Sequence, residues 1–243
     1  MSIECTVDDN DGDLYVSLAG RLGLRDVASL HKRLLKCLAE QPDGLLIRLN
    51  ELSVDEPLAL AVFTAIARQA ARWPGTPVLL CEPSPATRRL LRGPAYRSIP
   101  IFPTAAAARA HLGEQARTLP FLSDQLLPVT GAARHARDLA TDACLRWELP
   151  HLIAPASHIA SELVSNVVDH AHTMMTVRLA LRPRHLNITV RDGSPEEPPS
   201  LRPDRPPADA ERGRGLLLVA AMAHTWGCMP TDDGKVMWAS LLR

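Results

Sequence analysis

The stretch from Ser161 to Ala171 constrains the fold of this chain more than any other. Glu162, Asn166 and His170 recur at every fourth position, and residues of a helix advance by about 100° each. Asp169 falls on the same stripe, while aliphatic residues fill the opposite side. The pattern predicts an amphipathic helix that presents a carboxylate, a carboxamide and an imidazole in one row.

This polar row has more than one chemical interpretation. Its oxygen atoms could bind a hard cation, or its carboxylate could act as a base toward a hydroxyl or a water molecule. The plainer interpretation is a solvated face of a helix, and the row taken alone favours it. Residues further along the chain decide between these interpretations.

The composition indicates a two-domain cytoplasmic protein. The chain has 243 residues, of which 46% are hydrophobic, enough for two cores. Its 27 basic and 27 acidic residues balance, which argues against direct binding of nucleic acid or of an anionic membrane. The cysteines are widely spaced, as expected for reduced thiols, and no apolar run reaches membrane-spanning length. The beginning of the chain is acidic and lacks an apolar signal core.

Strand and helix patterns alternate through the first half of the chain. Alternating or continuous apolar runs predict strands at 13–18, 45–49, 77–81 and 99–102. Helical spacing and flanking breakers predict helices over 25–40, 57–70, 84–91 and 105–112. This order predicts a compact α/β domain with one central sheet.

The second half has a different pattern. It predicts strands at 121–129, 173–181, 186–191, 226–229 and 236–241, and helices over 132–147, from 155 onward and over 216–223. Residues 194–212 hold six prolines and predict an extended loop. Helices on one face of an antiparallel sheet would form an α+β sandwich. Lys235, on the terminal hairpin, is expected to be solvated.

Three elements of the second half occur in a set order: the E-x-x-x-N-x-x-x-H helix, Asp192 at the end of a strand, and a glycine pair, Gly213 and Gly215, that opens a helix after the long loop. In this order and spacing, residues 119–243 resemble the GHKL (Bergerat-fold) ATPase superfamily. Within it they are most similar to the anti-sigma-factor serine kinases and their actinobacterial relatives.

The resemblance implies an ATP·Mg²⁺ site and a role for each residue in it. Glu162 would be the catalytic base, and Arg212 would stabilise the transferred phosphate. Asn166 would be a ligand of Mg²⁺, and Asp192 would accept a hydrogen bond from the adenine amino group. The glycines would let backbone amides approach the phosphates. The other cofactor-binding residues that it implies are Asp169, His170, Gly193, Gly213, Arg214 and Gly215. Asp169 and His170 would either line the site or support neighbouring residues of the fold.

The stretch after Asp192 departs from the superfamily. The usual pattern is Asp-x-Gly-x-Gly, whereas this chain has Asp192-Gly193-Ser194-Pro195-Glu196. The flexible glycines are missing, and Glu196 and Glu197 add negative charge near an anionic ligand. Because of this departure, the second half could bind a partner without catalysing a reaction.

The first half resembles the STAS domain of anti-sigma-factor antagonists over residues 1–113, with a linker expected at 114–118. In that family a serine at the start of the second helix is phosphorylated. Pro57 and Leu58 occupy the serine positions here, and Asp55 and Glu56 precede them, so the regulatory phosphosite is expected to be lost. Nearby Ser53 is expected to have a turn-forming role.

The two resemblances together predict a cytosolic regulator of a sigma-factor partner-switching circuit. It would bind ATP·Mg²⁺ and phosphorylate a serine on a separate STAS-type anti-sigma-factor antagonist. The alternative is a non-catalytic binding module that sequesters a sigma factor or an antagonist. The sequence leaves the oligomeric state open, including a homodimer.

Overall fold

The computed structural model describes residues 3–115, 119–196 and 214–243 of the chain. The chain divides into two compact units, Met1–Arg117 and Thr118–Arg243. Each unit combines helices with one five-stranded sheet, which confirms the predicted two-domain α/β class. Among these described residues, no helix is both long enough and apolar enough to cross a membrane.

The sheet of the N-terminal unit is mostly parallel. Its strands lie in the order β1-β2-β3-β4-β5, and only β1 runs antiparallel to its neighbour. The strands are β1 (Glu4–Asn10), β2 (Asp13–Leu22), β3 (Gly44–Val54), β4 (Val78–Cys81) and β5 (Ile101–Phe102). The apolar run at 45–47 in β3 is fully buried, as expected for a central strand covered on both faces.

In the described part of this unit, four α-helices accompany the sheet. They are α1 (Val27–Ala39), α2 (Ala61–Arg72), α3 (Pro85–Leu91) and α4 (Ala105–Gln115). Ala108 and Leu112 of α4 pack over Tyr15, Leu46 and Leu79 of the strands. Helices α1 and α2 contact each other and bury one stripe each. This alternation of strands and helices is the order that the sequence predicts for the first half.

Three details of the N-terminal unit differ from the sequence prediction. Strand β1 was not predicted, because this edge strand is exposed on nearly all its residues and shows no alternation. Ser53 lies within β3, where its hydroxyl donates to the carbonyl of Gly20 at 3.1 Å, so its predicted turn role is wrong. Helix α4 continues to Gln115, so the expected linker at 114–118 begins inside a helix.

The C-terminal unit has an antiparallel sheet in the order β6-β7-β8-β10-β9. Its strands are β6 (Phe121–Leu126), β7 (Met175–Leu181), β8 (His185–Asp192), β9 (Thr225–Pro230) and β10 (Lys235–Leu242). Its helices are α5 (Ala132–Arg146), α6 (Ile153–Asn166) and α7 (Arg214–Met222).

One apolar core joins these helices to the sheet. Helix α6 lies in the middle, in contact with both α5 and α7. Small buried residues of α5, including Ala136 and Ala140, let α6 approach closely. Leu163 and Val164 of α6 share the core with Ile188 of β8. The aliphatic side of the 161–171 pattern therefore faces the core, as the sequence predicts.

Candidate nucleotide site

The polar row predicted on one helix is divided between two kinds of helical backbone. Glu162 and Asn166 lie in the last turns of α6 and are half-buried. Asp169 and His170 lie in a π-helical segment, Val167–Ala171, and are exposed. A π-helix has i→i+5 hydrogen bonds, so the 100° spacing no longer holds beyond Asn166. The single stripe through His170 is therefore not formed as predicted.

The π segment ends at His172. The amide of His172 donates to the carbonyl of Val167 at 2.8 Å, and His172 has a φ of 53°, in the left-handed region. Thr173 follows, and its hydroxyl accepts a hydrogen bond from the amide of Gly193 at 3.0 Å. The end of the polar helix is thus attached to the end of β8, where Asp192 lies.

Glu162 lies against the first turn of α7. A Cβ atom added to Gly215 would collide with the carboxylate oxygen Oε2 of Glu162. Only glycine lets the carboxylate approach the backbone at this point. The structure therefore brings together two residues that are distant in the sequence and that were both predicted for the site.

Asp192 is buried and paired with a lysine. Its Oδ1 atom lies 2.8 Å from Nζ of Lys235, and the two side chains are 1% and 10% exposed. The same Oδ1 accepts the amide of Ser194 at 2.8 Å, while Nζ also donates to the carbonyl of Ser194 at 3.1 Å. The expectation that Lys235 is solvated is wrong, because its ammonium group is buried and is the counter-ion of Asp192, the residue predicted to bind adenine.

The other carboxylate oxygen of Asp192 has no such partner. Oδ2 is buried and accepts no hydrogen bond from any residue that the structure describes. A buried acceptor without a donor is unfavourable and is usually satisfied by a ligand or by water. The atom therefore fits the amino group that the resemblance assigns to this position.

The β9–β10 turn positions Lys235. Asp233 accepts hydrogen bonds from Arg191 at 2.8 Å and from Thr231 at 2.9 Å. The hydrogen bond from Arg191, aided by that from Thr231, lowers the pKa of the Asp233 carboxyl. Gly234 packs directly on the backbone of residues 192 and 193, where an added Cβ would collide with the carbonyl oxygen of residue 192.

Sequence reasoning missed the roles of Thr173, Gly234 and Lys235. Thr173 holds Gly193, and Gly234 allows the close approach of the turn. Lys235 lies opposite Asp192 in the β8–β10 ladder. No pattern in the sequence indicates that pair, because it depends on the register of two strands that are distant along the chain.

Asn166 keeps a polar side chain close to the core. Its Nδ2 atom is buried and has no hydrogen-bond partner among the described residues. Within that same part of the chain, no group of three or more His, Cys, Asp or Glu side chains could hold a metal ion. A cation here would need most of its oxygen ligands from phosphate and water, which is the way Mg²⁺ is usually held.

Several predicted residues lie outside the described ranges. Arg212, Gly213 and most of the proline-rich loop at 194–212 fall in the gap between residues 196 and 214. Arg214 begins α7. The described part of the site thus consists of Glu162, Asn166, Asp192, Gly193 and Gly215, with the exposed pair Asp169 and His170 beside them.

The C-terminal unit thus has an antiparallel sheet covered on one face by helices, a buried aspartate at a strand end and a glycine against the α6 carboxylate, which is the arrangement that the GHKL resemblance implies. Residues 129–241 match the family described as the histidine kinase-like ATPase domain. This match covers a little less than half of the chain and falls within the C-terminal unit.

Comparison with individual proteins gives similarities to both halves. An uncharacterized protein of Streptomyces coelicolor is 36% identical over 80 residues, which cover 32% of this chain and 75% of that protein. An anti-sigma factor antagonist from Mycobacterium paratuberculosis is similar in structure at 24% identity, with a TM-score of 0.41, over 46% of this chain and 95% of that one. The RsbU and RsbW domains of a Mycobacterium tuberculosis protein are similar at 20% identity, with a TM-score of 0.37, over 76% of this chain and 45% of that one.

Proposed function

We propose that the C-terminal unit binds ATP·Mg²⁺ and transfers phosphate to a serine of a separate STAS-type anti-sigma-factor antagonist. The chain would thereby regulate transcription through a sigma-factor partner-switching circuit. The observation that carries the proposal is the buried Oδ2 of Asp192, which has no partner among the described residues, in a unit that matches the histidine kinase-like ATPase domain. An acceptor of this kind matches the exocyclic amino group of adenine.

Glu162 is the proposed base. It lies on rigid helix α6 and is half-buried, and its carboxylate is held beside the N-terminal turn of α7. From that position the carboxylate would accept the proton of an attacking serine hydroxyl. Bound ATP·Mg²⁺ would supply the phosphoryl group and neutralise the charge that develops during transfer.

The remaining side chains would hold the nucleotide. Asn166 would provide an oxygen ligand to Mg²⁺ through its carboxamide. Gly213 and Gly215 would leave backbone amides at the start of α7 free to contact phosphate. Arg212 would stabilise the transferred phosphate, and Arg214 would add positive charge nearby.

The STAS-like unit would act as a fixed docking surface. At the head of its second helix, Leu58 is 74% exposed and Pro57 opens a 3₁₀ turn, so neither offers a hydroxyl. The carboxylates before them are engaged, since Asp55 pairs with Arg21 at 2.9 Å and Glu56 accepts the amide of Leu24 at 2.7 Å. We expect this surface to bind the kinase-like unit or another STAS protein without being switched by phosphate.

A second candidate function is a binding module that sequesters a sigma factor or an antagonist without catalysis. The observation that favours it is the apolar surface of α7, where Leu217, Leu218 and Met222 are exposed. Such side chains on one short helix are typical of protein contacts. This role would leave the partner bound but chemically unchanged.

Two measurements on the full-length chain test the proposed function. Calorimetry should detect ATP binding only with Mg²⁺ present, and Asn166→Ala should abolish most of it. Ser165→Ala, on the same helix turn, is the matched control and should bind as wild type does. Equal affinity in the Asn166→Ala variant would contradict the assignment.

The second measurement separates catalysis from binding. Glu162→Gln should retain ATP binding and lose phosphoryl transfer to a STAS antagonist by about 10²-fold or more, the usual scale for a general base. Wild-type protein that binds ATP but labels no STAS partner would favour the binding module instead.

A further inference from the structure

The Asp192 carboxylate is used asymmetrically. Oδ1 accepts two hydrogen bonds, from Nζ of Lys235 and from the amide of Ser194, each at 2.8 Å. A carboxylate oxygen has about two acceptor sites, so Oδ1 is fully occupied. Oδ2 has no partner among the described residues. The side chain therefore offers one free acceptor atom, not two.

Lys235 is held in a position from which its ammonium group donates to Oδ1 of Asp192. It lies directly opposite Asp192 in the β8–β10 ladder, and only 10% of its side chain is exposed. Its ammonium group also donates to the carbonyl of Ser194 at 3.1 Å. Separating the pair would leave two charged groups buried without compensation, which is strongly unfavourable. A ligand must therefore bind Asp192 with Lys235 still in place.

A carboxylate with only one free oxygen favours adenine over guanine. Adenine presents a single exocyclic amino group, which needs one acceptor oxygen. Guanine presents N1–H and its exocyclic amino group side by side, and this pair of donors needs both oxygens of a carboxylate. If only one oxygen is free, one guanine donor stays buried and unpaired, which costs affinity.

We propose that Lys235 is a specificity-determining residue that limits Asp192 to one hydrogen bond and so selects adenine over guanine nucleotides. The inference rests on the proposed nucleotide-binding function. It goes beyond it by assigning the choice of base to a residue that does not itself contact the base.

The test is the ratio of ATP to GTP affinity in the full-length chain, measured by calorimetry with Mg²⁺. Wild type should bind GTP at least about tenfold more weakly than ATP, the scale of one good paired base contact. Lys235→Met frees one site on Oδ1 and should reduce that ratio about tenfold. Lys32→Met, on the exposed side of α1, is the control and should leave the ratio unchanged.

Loss of a buried counter-ion could prevent folding of the methionine variant, so Lys235→Leu, which also lacks a hydrogen-bond donor, serves as a second variant, with thermal unfolding as the check on each. Wild type that binds GTP as tightly as ATP would overturn the inference without any variant. So would an unchanged ratio in a folded variant that still binds ATP. Wild type that binds neither nucleotide would instead overturn the proposed function itself, and the inference with it.

Discussion

The carboxylate of Glu162 lies over the Cα atom of Gly215, so that the last turns of α6 meet the first turn of α7 with no side chain between them. The two residues are far apart in the sequence, yet both belong to the predicted site. Their contact depends on the absence of a Cβ atom at 215. It links the proposed base to the helix start at which phosphate would bind.

Gly215→Ala should therefore displace the Glu162 carboxylate. The obstructed atom is the end of a flexible side chain, so the fold should survive, and alanine should favour the helix by up to about 1 kcal/mol. We expect phosphoryl transfer to fall about 10²-fold, because misplacement by about 1 Å has an effect of that size. ATP binding should weaken as well, because the added methyl group would hinder the approach of phosphate to the backbone amides. Steady-state transfer to a STAS antagonist measures it.

Ala220→Gly is the matched control for that variant. Ala220 is exposed on the same helix, so glycine there should weaken α7 without moving Glu162. Transfer should then stay close to wild type. An unchanged transfer rate in Gly215→Ala would show that the position of the Glu162 carboxylate is unimportant.

Gly234→Ala should destabilise the C-terminal unit. The added Cβ would collide with the carbonyl of residue 192 and lie 2.8 Å from Cα of Gly193, and backbone atoms cannot rotate away as a side chain can. Overpacking of this kind costs about 1–3 kcal/mol. Chemical denaturation should show the loss. Gly113→Ala, in helix α4, is the comparison, because the added Cβ would meet no atom within 4 Å. Alanine favours a helix over glycine, so this variant should stabilise the N-terminal unit.

The folding stability of the protein should change with pH in the alkaline range, because two of its thiols are buried. Burial raises the pKa of Cys81 and that of Cys144 to about 11. The unfolded chain ionises these thiols near their ordinary pKa of 9.0, before the native state does, so stability should fall as pH rises from about 9 to about 11. Denaturation midpoints across this range should fall less steeply in a Cys81→Ala, Cys144→Ala variant than in wild type. Equal slopes would contradict the prediction.

The sequence predicted the helices and most strands because their apolar residues follow the period of each element. It could not predict the π segment at Val167–Ala171, since an i→i+5 turn leaves no separate mark in the apolar pattern. It also could not predict the partner of Lys235, because that pairing depends on the register of two strands that are distant in sequence. Strand β1 escaped prediction because neither of its faces is buried.

The N-terminal unit should not be phosphorylated on the loop before its second helix. Pro57 and Leu58 lack a hydroxyl, and the only hydroxyl between residues 50 and 60 is that of Ser53, which donates to Gly20 within the sheet. Full-length protein incubated with ATP·Mg²⁺ should give phosphopeptide maps without phosphate in this stretch, and Ser53→Ala should leave binding of a STAS partner unchanged. Leu58→Ser restores a hydroxyl at the exposed head of the helix and should become labelled if a serine kinase is present. High-yield phosphate on Ser53 in wild type, with altered partner binding, would show instead that the switch has moved along the chain, because added charge at that strand end would disturb a docking surface.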